Sequence, residues 1–113
     1  MLNDSLNWKY LGATNGKNTI TYPSNARYLR CDVFYLKVNE STSQALHSVE
    51  EIDLQRLSDE YTHCFLNGGY YSNTDYFTNN IAVDPASQIA YLLMNSKNGV
   101  DNSANCSMNV WYK

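Results

Sequence analysis

Positive charge is in short supply in this chain: eight Lys and Arg stand against eleven Asp and Glu, for a formal net charge of −3 and an isoelectric point near 5.1. That balance lacks the diffuse phosphate attraction behind most non-specific nucleic-acid affinity, so no nucleic-acid partner is expected. Histidine is scarcer still. His47 and His63 are the only two, and neither sits in a nucleophile-elbow, cysteine-protease or zinc-binding pattern. Cys31, Cys64 and Cys106 are odd in number and unequally spaced, which excludes a closed disulfide framework and a CxxC zinc pattern and leaves buried free thiols as the expectation. No apolar run approaches the roughly 20 residues of a membrane helix, and Met1-Leu2-Asn3-Asp4-Ser5 lacks the basic and apolar regions of a signal peptide. A cytosolically made chain, or one cut from a longer protein, is expected. Internal repeats, low-complexity tracts and linkers are missing as well. The 113 residues therefore read as one soluble domain, with its core over about residues 6–113.

What the chain does have is amides, hydroxyls and tyrosine: fifteen Asn, eleven Ser, seven Thr and ten Tyr. Such side chains serve turns, and they also suit neutral, hydroxyl-rich ligands. Short β-branched and aromatic runs alternate with turn formers along the whole length. Trp8–Leu11 and Thr19–Tyr22 flank Asn15-Gly16, a strong hairpin signal, and read as paired strands. Tyr28–Val38 is the most strand-like run, although Arg30, Asp32 and Lys37 do not share one parity, which predicts a shift of facing midway. Asn67-Gly68-Gly69 predicts a tight turn between Tyr61–Leu66 and Tyr70-Tyr71. Tyr76–Thr78, Ile81–Val83 and Ile89–Met94 follow as separate short strands. The last strand, Cys106–Tyr112, sets Cys106, Met108, Val110 and Tyr112 on one face. Residues 48–60 stay open between helix and strand, because Ser48-x-x-Glu51 has the form of a capping box while Val49, Ile52 and Leu54 suit a strand. The expected fold is all-β: a β-sandwich or jelly roll of about seven or eight short antiparallel strands, with room for one short helical turn.

Catalytic chemistry has little to work with. Glu50, Glu51, Asp53, Asp59 and Glu60 could supply the carboxylate pair of a glycosidase, but acidic residues in a domain of this size are ordinarily a solvated face. Asp75 and Asp101-Asn102 have oxygen-bearing neighbours without the acidic spacing of an EF-hand loop, so no metal and no cofactor is expected. The densest aromatic cluster is Tyr70, Tyr71, Tyr76 and Phe77, interleaved with Asn73, Thr74 and Asp75. Rings there could stack on a sugar face while the polar side chains bind its hydroxyls. Tyr70, Tyr71, Asn73, Asp75, Tyr76 and Phe77 are accordingly the candidate ligand-binding residues.

Taken in order, Trp8-Lys9-Tyr10-Leu11-Gly12, Gly16 to Asn25, a long strand and a terminal Val110-Trp111-Tyr112-Lys113 form a recognisable pattern. It resembles the small C-terminal β domains of tail-fibre and baseplate proteins from bacteriophages and prophages of Gram-positive bacteria. The resemblance implies a β-sandwich at the tip of a trimeric fibre on the virion, made in the bacterial host cytoplasm and contacting a host cell-surface glycan. It transfers no binding residue by position. Together these readings favour a non-enzymatic, receptor-binding adhesin domain. A purely structural virion module and a small glycan-acting enzyme are the alternatives.

Overall fold

A computed structural model describes residues 7–15, 18–38, 43–71, 76–96 and 106–113. Eight strands follow one another: β1 (Lys9–Asn15), β2 (Ile20–Thr21), β3 (Tyr28–Val38), β4 (Ser43–Asp53), β5 (His63–Tyr71), β6 (Tyr76–Asp84), β7 (Ile89–Ser96) and β8 (Cys106–Tyr112). They form two four-stranded antiparallel sheets, ordered β1-β8-β3-β4 and β2-β7-β6-β5. The early and late strands pair in jelly-roll manner, β1 with β8 and β2 with β7, while β3–β4, β5–β6 and β6–β7 are sequential antiparallel pairs. The all-β sandwich expected from the alternating runs is what forms.

The core lies between the sheets. Leu29, Cys31, Val33, Tyr35 and Ile52 meet Met108, Val110 and Cys106 on one side and Ile81, Val83, Ala90 and Leu92 on the other, all buried. Full burial of a large apolar side chain is worth about 1.5–3 kcal/mol. Strand β3 shows why this sequence is a strand: Leu29, Cys31, Val33 and Tyr35 point inward at period two, and Tyr28, Arg30, Asp32 and Phe34 point outward. The expected change of facing is absent over 28–35, because both charges of that stretch, Arg30 and Asp32, share the outward parity. Pairing with β4 runs unbroken from Tyr28↔Asp53 to Val38↔Ser43.

Other pairings differ from the expectation. The runs around Trp8 and Ile20 lie in different sheets, so they do not pair with each other as expected. The Asn18 N–H donates to the Asn15 carbonyl (3.3 Å), and the Thr14 hydroxyl donates to the Asn18 carbonyl (2.7 Å). Asn67-Gly68-Gly69 is inside β5, where the register with β6 shifts between Leu66 and Gly68. Asn67 is the extra residue, and Gly68 and Gly69 pair with Asn79 and Thr78. β6 is likewise one strand through Asn79-Asn80. Residues 48–53 belong to β4, so Ser48 lies inside a strand instead of starting a helix. The helical turn expected hereabouts is a single 3-10 turn, Leu54–Arg56, capped by the Asp53 carboxylate on the Gln55 N–H at 3.1 Å. Cys31 and Cys106 are buried, whereas Cys64 is exposed, and all three thiols are free.

Two backbone positions stand out. β1 has a bulge between Tyr10 and Gly12, and Gly12 adopts φ +145°, a conformation open to glycine. Gln88 has φ 55° at the end of the Pro85–Gln88 turn, and its carbonyl accepts the Tyr22 N–H at 2.9 Å, tying β2 to the β6–β7 connection.

Candidate functional site

The outer face of the β1-β8-β3-β4 sheet is built by the odd-even rule that fills the core. Every residue facing away from Leu29, Cys31, Met108 or Val110 lands there, and the cross-strand register sorts them into rows. Tyr10 stands opposite Trp111, Trp111 opposite Arg30, and Arg30 opposite Glu51, one row across all four strands. The next row is Ala13, Asn109, Asp32 and Val49. On the other side, Lys113 and Tyr28 exchange backbone hydrogen bonds of 2.9 and 3.1 Å, and Tyr28 faces Asp53.

Aromatic rings dominate one end of this face. Tyr10 and Trp111 are packed with ring centres 5.3 Å apart, tilted by 56°, and the Tyr10 hydroxyl donates to the Asn109 side-chain oxygen at 2.8 Å. Tyr10 is nonetheless 55% exposed, so the pair is fixed without being covered. The Lys113 ammonium lies 4.7 Å from the centre of the Trp8 ring and 5.7 Å from that of Tyr28, and the Arg27 guanidinium lies 5.1 Å from Tyr28. Arg30 bonds Asp32 through Nε at 3.3 Å and approaches Glu51 at 3.7 Å.

Two hollows meet at Trp8. The larger, about 600 Å³, is lined by Asn7, Trp8, Arg27, Tyr28, Glu51 and Lys113. The smaller, about 160 Å³, lies among Trp8, Arg30, Asp32 and Trp111. The larger falls within the roughly 300–1,000 Å³ common for small-molecule sites. Rigid rings beside amide, carboxylate and guanidinium groups can strip water from an apolar ligand face and replace hydrogen bonds at its edge. Both tryptophans of the chain line this groove.

The residues expected to bind ligand lie on the other sheet. Tyr70 and Tyr71 end β5, Tyr76 and Phe77 begin β6, and they pair as Tyr70↔Phe77 and Tyr71↔Tyr76. Asn73, Thr74 and Asp75 lie outside the described residues, as do Asp101 and Asn102. The expected exposed Gly-Gly turn before this cluster is strand instead. The aromatic face on β1, β8 and β3 went unread in the sequence because its members are scattered from Trp8 to Trp111. One signal was available: Tyr28, Arg30, Asp32 and Phe34 share one parity on β3.

The two histidines have partners within the fold. His63 Nε2 lies 2.8 Å from the Ser58 carbonyl oxygen, and the His47 ring packs edge-on against Phe34 at 5.1 Å. Burial, reinforced by Asp32 and Glu50, pushes the Cys31 thiol up to about 12. Burial also raises the Tyr22 phenol, with help from Asp59 and Asp84. Among the described residues no group of three or more His, Cys, Asp or Glu gathers as a metal site, and no helix is long and apolar enough to cross a membrane. In comparisons with known protein families, curated proteins and solved structures, nothing matches this chain.

Proposed function

We propose that this protein is a non-catalytic adhesin domain that holds a carbohydrate on the outer face of the β1-β8-β3-β4 sheet. The observation that carries the reading is the aromatic array of Trp8, Tyr10, Tyr28 and Trp111, in which the Tyr10–Trp111 pair is held by ring packing and the Tyr10–Asn109 bond, Tyr10 is exposed and the other three rings are half-buried, with polar groups along the edge. A pyranose presents one apolar face and a rim of hydroxyls, the chemistry such a platform complements.

The resemblance to phage tail-fibre and baseplate domains adds the setting: a host cell-surface glycan as ligand and the virion as location. Two of the segments that carry the resemblance, Trp8–Gly12 and Val110–Lys113, pair within this sheet, while a third, Gly16 to Asn25, includes β2 of the other sheet. A trimeric fibre tip would set three such faces toward one surface, and effective concentration would then raise weak single-site affinity.

A titration of tryptophan fluorescence with glycans captured on an array tests the site directly, because both reporters line the groove. Trp111→Ala should weaken binding by about thirtyfold, the effect of losing about 2 kcal/mol from an interface aromatic, while melting within about 10 °C of the parent. Tyr70→Ala, Tyr71→Ala and Tyr76→Ala should bind as the parent does. Binding lost in those three and kept in Trp111→Ala would move the site to the β5–β6 hairpin.

A further inference from the structure

The two hollows beside Trp8 have different walls. Tyr28 and Glu51 belong to the larger, and Arg30, Asp32 and Trp111 to the smaller; among the described residues Trp8 alone lines both. Between them stands the contact of Arg30 with Glu51 at 3.7 Å, which joins a wall of one hollow to a wall of the other. The two side chains are 34% and 59% exposed, so their polar atoms can be reached from solvent. The floor beneath is β3, whose outward residues Tyr28, Arg30 and Asp32 follow one another at two-residue steps of about 6.8 Å. From Tyr28 to Asp32 that floor is roughly 14 Å long, more than one pyranose ring can cover. A ring seated against Trp111 in the smaller hollow meets no wall of the larger one except Trp8.

We propose that this face binds a glycan chain across two subsites, one in each hollow, and not a single terminal sugar. One ring lies against Trp111 and another against Tyr28, with Trp8 beside both and the glycosidic linkage over the Arg30–Glu51 pair. The inference rests on the carbohydrate-binding reading and specifies its ligand as a chain. Each ring sheds water from an apolar face against an aromatic side chain, whereas the linkage oxygen and its flanking hydroxyls still need partners when they are desolvated. Arg30 and Glu51 meet that need: the guanidinium donates to oxygens, and the carboxylate accepts from hydroxyls. The order along the groove is aromatic, polar, aromatic, and it matches ring, linkage, ring along the chain. Once one ring is seated, the next binds at an effective concentration set by the linkage, so length multiplies affinity without any stronger contact.

Ladders of oligosaccharides decide it. Each printed ladder runs from a single residue to a hexasaccharide of one repeating sugar, in neutral and acidic series, and every ladder that captures the protein is titrated in solution by tryptophan fluorescence. Binding to the parent should tighten by about thirtyfold from the single residue to the trisaccharide, the worth of one further interface aromatic, and change little beyond it. Trp111→Ala and Tyr28→Ala should each weaken the trisaccharide by about thirtyfold. The single sugar, held in one hollow, should lose affinity in no more than one of the two variants. General loss of structure weakens every ligand alike, so this dependence on length separates a subsite from a stability effect. Glu51→Ala, expected to weaken the trisaccharide about tenfold through loss of a charge-assisted bond, replaces Tyr28→Ala if that variant melts far below the parent. A single residue bound as tightly as the trisaccharide, or a trisaccharide weakened by Trp111→Ala alone, overturns the two-subsite chain and leaves the carbohydrate reading standing. A trisaccharide indifferent to every one of these substitutions, or no capture by any ladder or by a wider glycan array, overturns the site on this face as well.

Discussion

Gln88 offers a substitution that should make the protein more stable. Its φ of 55° lies in the left-handed region, where an L side chain costs roughly 1–2 kcal/mol. The turn imposes that angle: Pro85 fixes the entry, the Gln88 N–H returns to the Pro85 carbonyl at 3.3 Å, and the Gln88 carbonyl must reach the Tyr22 N–H at 2.9 Å. All of these bonds are backbone bonds, so a new side chain leaves them in place. Gln88→Gly removes the left-handed cost and adds about 0.5–1 kcal/mol of unfolded-state freedom, for a net gain of about 0.5–1 kcal/mol. In a domain of this size that raises the melting temperature by about 2–6 °C. The Gln88 side chain is half-buried, so part of the gain is offset by lost contact. Gln88→Asn separates the two effects, since Asn keeps an amide and tolerates the angle. Gln88→Val does the reverse, placing a β-branched side chain where it is most strained. Thermal unfolding followed by circular dichroism should rank Gly and Asn above the parent and Val below it. A glycine variant no more stable than the valine variant would show that the turn stores no strain.

Other expectations follow from the core. Met108 is fully buried at the centre of the sandwich, so Met108→Ala should cost about 2–5 kcal/mol and lower the urea midpoint with an unchanged slope; a loss under about 1 kcal/mol would refute the packing. A thiol reagent should label Cys64 promptly in the native protein, and Cys31 and Cys106 only on unfolding; rapid native labelling of Cys31 would contradict its burial. Because the Cys31 pKa is raised by burial to about 12, its contribution to stability is intact below the ordinary thiol range and is lost as pH rises towards that value. Urea unfolding between about pH 8 and 11 should therefore show stability falling with pH, and less steeply in Cys31→Ala.

The strand content was readable because it is written locally. Leu29, Cys31, Val33 and Tyr35 announce an inward face by alternation, and Met108 and Val110 do the same at the other end of the chain. Pairing is not local. Nothing near Ile20 says that it will meet Ala90 instead of the strand just before it, because a turn sequence such as Asn15-Gly16 suits a crossing between sheets as well as a hairpin. Asn67-Gly68-Gly69 misled for a related reason: glycine and asparagine relax the backbone, and a bulge uses that freedom as readily as a turn. Tyrosine is dense along the sequence around residues 70–77. The aromatic face in the structure has low density along the sequence and becomes dense only when β8 lies against both β1 and β3.

That placement of β8 bears on how the protein is made. The strand is central to its sheet, yet its neighbours β1 and β3 leave the ribosome long before it does, and the Tyr10–Asn109 bond closes a separation of 99 residues. Until residues 106–112 arrive, β1 has no partner strand and β3 keeps one bare edge, both open to wrong pairing. The sequential strands β5, β6 and β7 have no such wait and can zip as they emerge. The aromatic surface, to which Trp8 and Trp111 both contribute, therefore forms only after residues 106–112 have joined their sheet.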